Sequence, residues 1–394
     1  NLVAGLDWRY YKGIHYRRVE NLLGADGYSS KSDINNVDNF ITTEEPAEFG
    51  SFGADGYKNG NNVLNYYNDG LVNWLGLFAQ VEHVTDNATI FAAVSGSNQG
   101  FKRVDYFNYL DSDPQQETDW ENILGGTIKA GANFNLDDNN NVFVNAGYYS
   151  KQPIFDNVYI NFVNDLNENV KNQTVAAFEA GYGYRSRDFN VKANVYYTNW
   201  GNRQFDIFTE NDQNEDILYN FEDVDQTHIG LELEAMYQPS RKLQFTGMLS
   251  IGDWKYSSNP TARGTNIDTQ QPVADATLFI DGLEVGDAAQ TTFNIGVTYE
   301  ITNGLRIYAD YYNASRLFAQ YDVNDDRFFV EGAAAVLELP SYSLVDAGIS
   351  YSFDLGDDLR AALRFNMNNV FDELYISELV TNDPDDLYGN QGIF

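Results

Sequence analysis

Between residues 173 and 198 the chain alternates twice about a short polar turn. Ala176, Phe178, Ala180, Tyr182 and Tyr184 share one parity, with Glu179, Gly181 and Gly183 on the other. After Arg185-Ser186-Arg187-Asp188, the residues Phe189, Val191, Ala193, Val195 and Tyr197 alternate with Asn190, Lys192, Asn194 and Thr198. A period of two puts successive side chains on opposite faces of a strand, so each run is a strand with one oily and one wet face. The unit returns at 122–151, 224–252, 288–312 and 341–367. Short turns fall at 85–87, 137–141, 185–188, 238–242, 302–304 and 354–358, and long connections at 19–70, 107–121, 152–172, 206–223, 256–287 and 318–340. Short turns at one end and long loops at the other describe an antiparallel up-and-down meander of about thirteen strands, with its functional end at the loops.

The position of the aromatic residues separates a soluble sandwich from a membrane wall. Tyr184, Tyr237, Tyr299, Tyr351 and Phe353 lie on the oily parity close to short turns, and Tyr148, Tyr197 and Tyr311 close that parity at the far end. From Phe189 to Tyr197 is eight steps of about 3.3 Å, which at a tilt of ~40° span roughly 20 Å, close to the ~25 Å apolar band of an outer-membrane barrel. A sandwich core would carry its bulk at mid-strand. The expected fold is therefore all-β, a transmembrane barrel with two aromatic girdles. Val191, Ala193, Val195, Leu231, Leu233, Ile295, Val297, Val345 and Ile349 should face lipid, and Lys192, Asn194, Glu232, Glu234, Asn294 and Arg364 the lumen.

Composition agrees. Hydrophobic residues make up 43% of the 394 residues, yet no run reaches the ~18 to 20 apolar residues of a spanning helix. Insertion is then possible only if every backbone group finds a neighbouring strand, as in a barrel. The net charge of -34, from 58 acids and 24 bases, excludes nucleic acid as a partner, because phosphate recognition needs basic surface. The chain has no cysteine, hence no disulfide or thiolate chemistry. It opens inside an alternating run and closes on Asn390-Gln391-Gly392-Ile393-Phe394, which follows no strand pattern. Both ends read as cut, and with short turns placed in the periplasm the missing partner of 359–368 is a final inward strand.

Asn368-Asn369-Val370-Phe371-Asp372-Glu373-Leu374-Tyr375 resembles the stretch that follows the penultimate strand of TonB-dependent outer-membrane receptors. The segment from Pro340 to Phe353 is similar to the strand before it in that family, and 178–186 and 194–200 are similar to family hairpins. The loops resemble those of Bacteroidetes receptors. The resemblance implies that residues 1–394 are one partial receptor barrel, from a closed barrel of about twenty-two strands, without the plug domain or the last strand. It further implies a receptor in the bacterial outer membrane, surrounded by its lipid and lipopolysaccharide, that binds a scarce nutrient (ferric siderophore, cobalamin, glycan or peptide). Import would draw on the TonB-ExbB-ExbD complex through the missing plug segment, with a surface lipoprotein as a further partner.

Sites for enzymatic chemistry are not evident. His15, His83 and His228 are scattered, and no nucleophile elbow, phosphate loop or dinucleotide fingerprint occurs. Neither a metal site nor a cofactor is expected, and acidic pairs such as Asp137-Asp138 lack calcium-loop spacing. Ligand contact is expected from loop aromatics and the upper lumen, where rings beside amides and carboxylates suit a sugar, peptide or chelate. The candidates are Tyr57, Tyr66, Tyr67, Phe155, Tyr159 and Trp200. The strand pattern alone also permits a passive porin, and the long loops an adhesin.

Overall fold

The computed structural model describes residues 1–44, 63–211, 213–320, 326–356 and 359–380. Among the described residues thirteen long strands follow one another in sequence order in a single antiparallel sheet, to which three short strands are added off that path. The long strands are β1 (Leu2–Arg18), β2 (Val63–Val84), β3 (Ala88–Asp105), β4 (Glu121–Asn135), β5 (Asn140–Lys151), β6 (Gln173–Arg185) and β7 (Phe189–Glu210), then β8 (Asp216–Ser240), β9 (Leu243–Tyr256), β10 (Ala289–Thr302), β11 (Leu305–Phe318), β12 (Tyr342–Asp354) and β13 (Arg360–Met367). Among the described residues β1 and β13 do not pair with each other.

The tight turns gather at one end. Five of them are hydrogen-bonded to the foot of the following hairpin: Asn135 N donates to Asn87 O, Arg185 N to Asn139 O, Gln238 N to Asp188 O, Glu300 N to Lys242 O and Ser352 N to Gly304 O. Gly304 lies at φ +80°, where a side chain is strained, and a Cβ there would sit 2.1 Å from the Ser352 carbonyl oxygen.

Cross-strand register carries the alternation from strand to strand. Ala180 faces Val195, which faces Leu231, which faces Ile251. One residue along, Gly181, Asn194, Glu232 and Ser250 line up. The residues expected on the oily face share it throughout, and those expected inside share the other. On the polar face Asn194 Nδ2 donates to Glu179 Oε1 (3.0 Å) and Glu232 Oε2 (3.1 Å). Side chains two strands apart also meet there, as when Trp254 Nε1 donates to Tyr196 OH at 2.9 Å over Gly230, whose missing side chain makes room for the Tyr196 ring. Near the turns Tyr184, Phe189, Tyr237 and Phe245 form a lateral ladder, with successive ring centroids 6.0 to 6.4 Å apart.

The loop end corrects two expectations. Residues 206–223 are not a loop: β7 and β8 run on as a hairpin of 22 and 25 residues, closed near 211–215. The register shifts between Trp200 and Arg203 and again before Phe205, and Asn202 and Asp223 take positive φ. These bulges break the alternation that marks a strand in sequence while leaving pairing intact beyond them. Likewise β2 begins at Val63, inside the connection expected to extend to residue 70. Two short strands, Thr261–Asn266 and Pro272–Thr277, add to the projecting part of β8. Under this sheet Ile207, Phe221, Val224, Ala262, Leu278, Ile280 and Phe328 form a dry core.

The segment after β13 folds on itself. Asn369 accepts from Glu373 N at its side-chain oxygen and donates from Nδ2 to Glu373 O, both at 2.9 Å, while Asn369 N donates to Asp346 Oδ1.

Candidate functional site

The connection between β5 and β6 lies against the polar face at the loop end. Its one-turn helix α1 (Phe155–Val158) packs on β2 and β3. The Phe155 ring sits over Gly70, 3.2 Å from where a Cβ would stand, and 5.1 Å from the Tyr159 ring centroid. Tyr159 is a strut: its hydroxyl donates to Phe101 O (3.1 Å) and pairs with Thr118 Oγ1 (2.9 Å), and burial pushes its pKa up.

Arg103 anchors the same segment. It is buried, its Nη1 donating to Asp105 Oδ2 (3.0 Å) and Asn164 Oδ1 (3.2 Å), its Nη2 to Phe162 O (2.7 Å). Asp105 also accepts from Phe107 N, Asn108 N and Asn108 Nδ2. Paired and hydrogen-bonded to their surroundings, the two charges tolerate the burial that would otherwise be costly.

Above this floor the projecting β7–β8 hairpin leans across. Phe162 and Phe208 stack with centroids 5.6 Å apart, and Asn167 bonds Glu222. Between floor and hairpin is a cavity of about 600 Å³ lined by Tyr11, His15, Tyr66, Asn68, Arg103, Phe155, Asp156, Tyr159, Asn161, Asp206, Leu218 and Asn220 among others. In a flat sheet, strands as far apart in the order as β2 and β7 would lie about 24 Å apart at ~4.8 Å per strand, so one cavity touching both reflects a sheet curled toward its polar face. Asp206 stays in contact with the cavity, yet the protein around it pushes its pKa up. Asn220 Nδ2, donating at 2.8 Å, opposes that shift and the charge of Asp156 adds to it.

Of the residues singled out from sequence, Tyr66, Phe155 and Tyr159 meet in this cavity. Tyr67 points to the opposite face, its ring 4.5 Å from Tyr106 and edge-on to Tyr16 and Phe107. Trp200 is on the polar face beside the bulge, paired in register with Val175 and Gln226, and does not line the cavity. Tyr57 lies outside the described residues. Asp206 and Asn220 were hidden from sequence because 206–223 resembled a loop, whereas Arg103, a lone cation two residues beyond Phe101 on the inward parity, was a legible signal.

Residues 1–370 match the family model described as TonB dependent receptor-like, beta-barrel. The chain belongs to that family. Among solved structures it is similar to the copper transporter OprC, at 14% identity and a TM-score of 0.62, over 100% of this chain and 51% of that one. The closed form of the ferric-catecholate import receptor Fiu from E. coli K12 gives 13% identity and a TM-score of 0.56, over 96% and 48%. The siderophore receptor PiuA from Acinetobacter baumannii gives 14% and 0.56, over 80% and 41%. A comparison with curated proteins gives no match. At these identities the likeness is one of fold, and the chain spans about half the length of the first two receptors it resembles. Members of the TonB-dependent receptor family are outer-membrane receptors and transporters, not enzymes. In outer-membrane barrels the short turns are periplasmic and the longer loops extracellular, and the cavity lies at the end away from the tight turns.

Proposed function

We propose that the chain forms part of the barrel of an outer-membrane TonB-dependent receptor, which captures a scarce nutrient from outside and imports it with energy from TonB. The observation that carries this reading is a family-typical wall whose outer connections fold inward over the lumen and enclose a ligand-sized cavity, where a passive porin keeps its channel open. Tyr66, Phe155 and Tyr159 contribute to that cavity, Phe155 and Tyr159 as its inner support. Tyr57 and Trp200 serve as further contacts on the nutrient's path, and Tyr67 acts by packing the outer wall.

In this reading residues 1–394 are a single partial barrel domain, coupled to TonB-ExbB-ExbD through a plug segment and embedded in outer-membrane lipid and lipopolysaccharide, with a surface lipoprotein as a further partner. The neighbours named for ferric catecholate, siderophore and copper keep small chelates among the ligand classes, beside cobalamin, glycans and peptides. The test is growth on, and uptake of, a panel of these nutrients by cells expressing the protein from its own gene, with and without an intact TonB system. Uptake should stop when TonB is removed. Undiminished uptake would assign the barrel to passive diffusion instead.

A further inference from the structure

The polar groups of the cavity are unevenly matched. Asp156 is exposed, and among the described residues it has no ion-pair partner. Asp206 receives a hydrogen bond from the neutral amide of Asn220. Asn161 Oδ1 is buried without a donor. Arg103, the guanidinium on the lining, is committed to Asp105, Asn164 and the Phe162 carbonyl. Arg17 is stacked over the Tyr66 ring at 5.5 Å and is not among the lining residues. Two carboxylates without a committed cation and an acceptor without a donor thus face the cavity, beside aromatic rings, the amides of Asn68 and Asn220 and the imidazole of His15.

From this imbalance we propose that the cavity takes a cationic ligand, one whose protonated amine seats against Asp156 and Asp206, and that it turns away polyanionic iron chelates. The inference rests on the cavity being the receptor's ligand site. An ammonium brings donors to acceptors that otherwise lack them, in surroundings where an unmet polar group is costly. Its charge is met by the two carboxylates, and the ring of Phe155 is a favourable neighbour for a cation. A chelate with several negative charges would meet both carboxylates at close range, where like charges repel strongly. The fold-level neighbours named for ferric catecholates therefore do not transmit their ligand to this cavity. Two sources offer the required group, the amines of a basic peptide and those of an amino sugar.

The test measures binding of three probes to outer-membrane preparations holding the full chain: trilysine, a glucosamine trimer and a ferric tris-catecholate. Trilysine or the glucosamine trimer should bind, and the one that does identifies the source. Asp206→Asn and Asp156→Asn should each weaken that probe about tenfold, as expected for one charge-assisted hydrogen bond, and N-acetylation of the probe should do the same. Asn68→Trp, which fills the cavity, should abolish binding while the barrel keeps its heat-modifiable migration. Cavity-dependent binding of the ferric tris-catecholate, lost in Asn68→Trp, would keep the ligand site and overturn the cationic class. Absence of binding by both amine probes, or amine binding indifferent to both Asp→Asn variants, would also overturn it. Binding that no cavity variant changes would overturn the site itself.

Discussion

Strands β7 and β8 pass through two regions that use apolar residues in opposite ways. In the wall, below Trp200, Val195 and Leu231 are 48% and 40% exposed, forming a surface that only a hydrocarbon solvent makes favourable. In the projecting hairpin, above Asp223, Ile207 and Phe221 are each 1% exposed and pack against Leu278, Ile280 and Phe328, as in any water-soluble core. The same two backbones carry both arrangements, and the switch is made within a few residues by the bulges at Asn202 and Asp223. Parity therefore states which residues share a face, while the surrounding medium decides which face is oily.

The contrast predicts separable failures. Phe221→Ala should cost the cap about 3 to 5 kcal/mol, since it empties the centre of a close-packed core. Limited proteolysis should then cut 203–223 and 256–287 while the wall retains heat-modifiable migration. Loss of both together would merge the two regions into one cooperative unit. Val195→Lys turns a charge toward lipid at a cost of roughly 2 to 4 kcal/mol near the midplane, whereas Asn194→Lys places one beside Glu179 and Glu232. Outer-membrane yield should fall sharply for the first and little for the second, and equal yields would reverse the assignment of faces.

Smaller effects sharpen the boundary. Lys171 Nζ lies 2.7 Å from Asp223 Oδ2, with both side chains about half exposed. Lys171→Met should change cap stability by less than ~1 kcal/mol, and high salt should erase the difference. The smallest effect concerns Asp206, whose pKa is raised in the fold by burial. A raised carboxylate binds protons more readily in the folded cap than in the unfolded chain, so stability declines as pH rises from the ordinary carboxylate range through the raised value. Asp206→Asn should flatten that decline, giving a slightly higher Tm at neutral pH and no gain in acid. A gain equal at both pH values would remove the ionisation argument.

Legibility follows the same division. From Phe189 to Tyr197 the alternation is unbroken, so strand, face and girdle could be read directly. From Trp200 to Asp223 they could not, because two positive-φ residues shift the register and a sequence shows only that the pattern stops. At the site, Phe155 and Tyr159 were recognisable as aromatics on a long connection, but their meeting with Asp206 depends on a hairpin six strands from β1. Tyr66 and Tyr67 are not separable from the alternation alone, which becomes regular only near residue 71. The strand starts at Val63 with a bulge at Asn65, beyond which Tyr66 turns to the cavity while Tyr67 pairs with Tyr16 on the other face.

The asymmetry between the two ends governs how such a protein can change. Lengthening an outer connection adds entropy only logarithmically, about 0.6 kcal/mol for each doubling. An outer connection can thus vary in length with little effect on the wall. A single residue gained between Ser240 and Leu243 is different: it slides β9 by one position against β8 and exchanges its oily and wet faces. Insertions can accumulate at one rim and are barred from the other, so variation is steered toward the surface that meets the outside world.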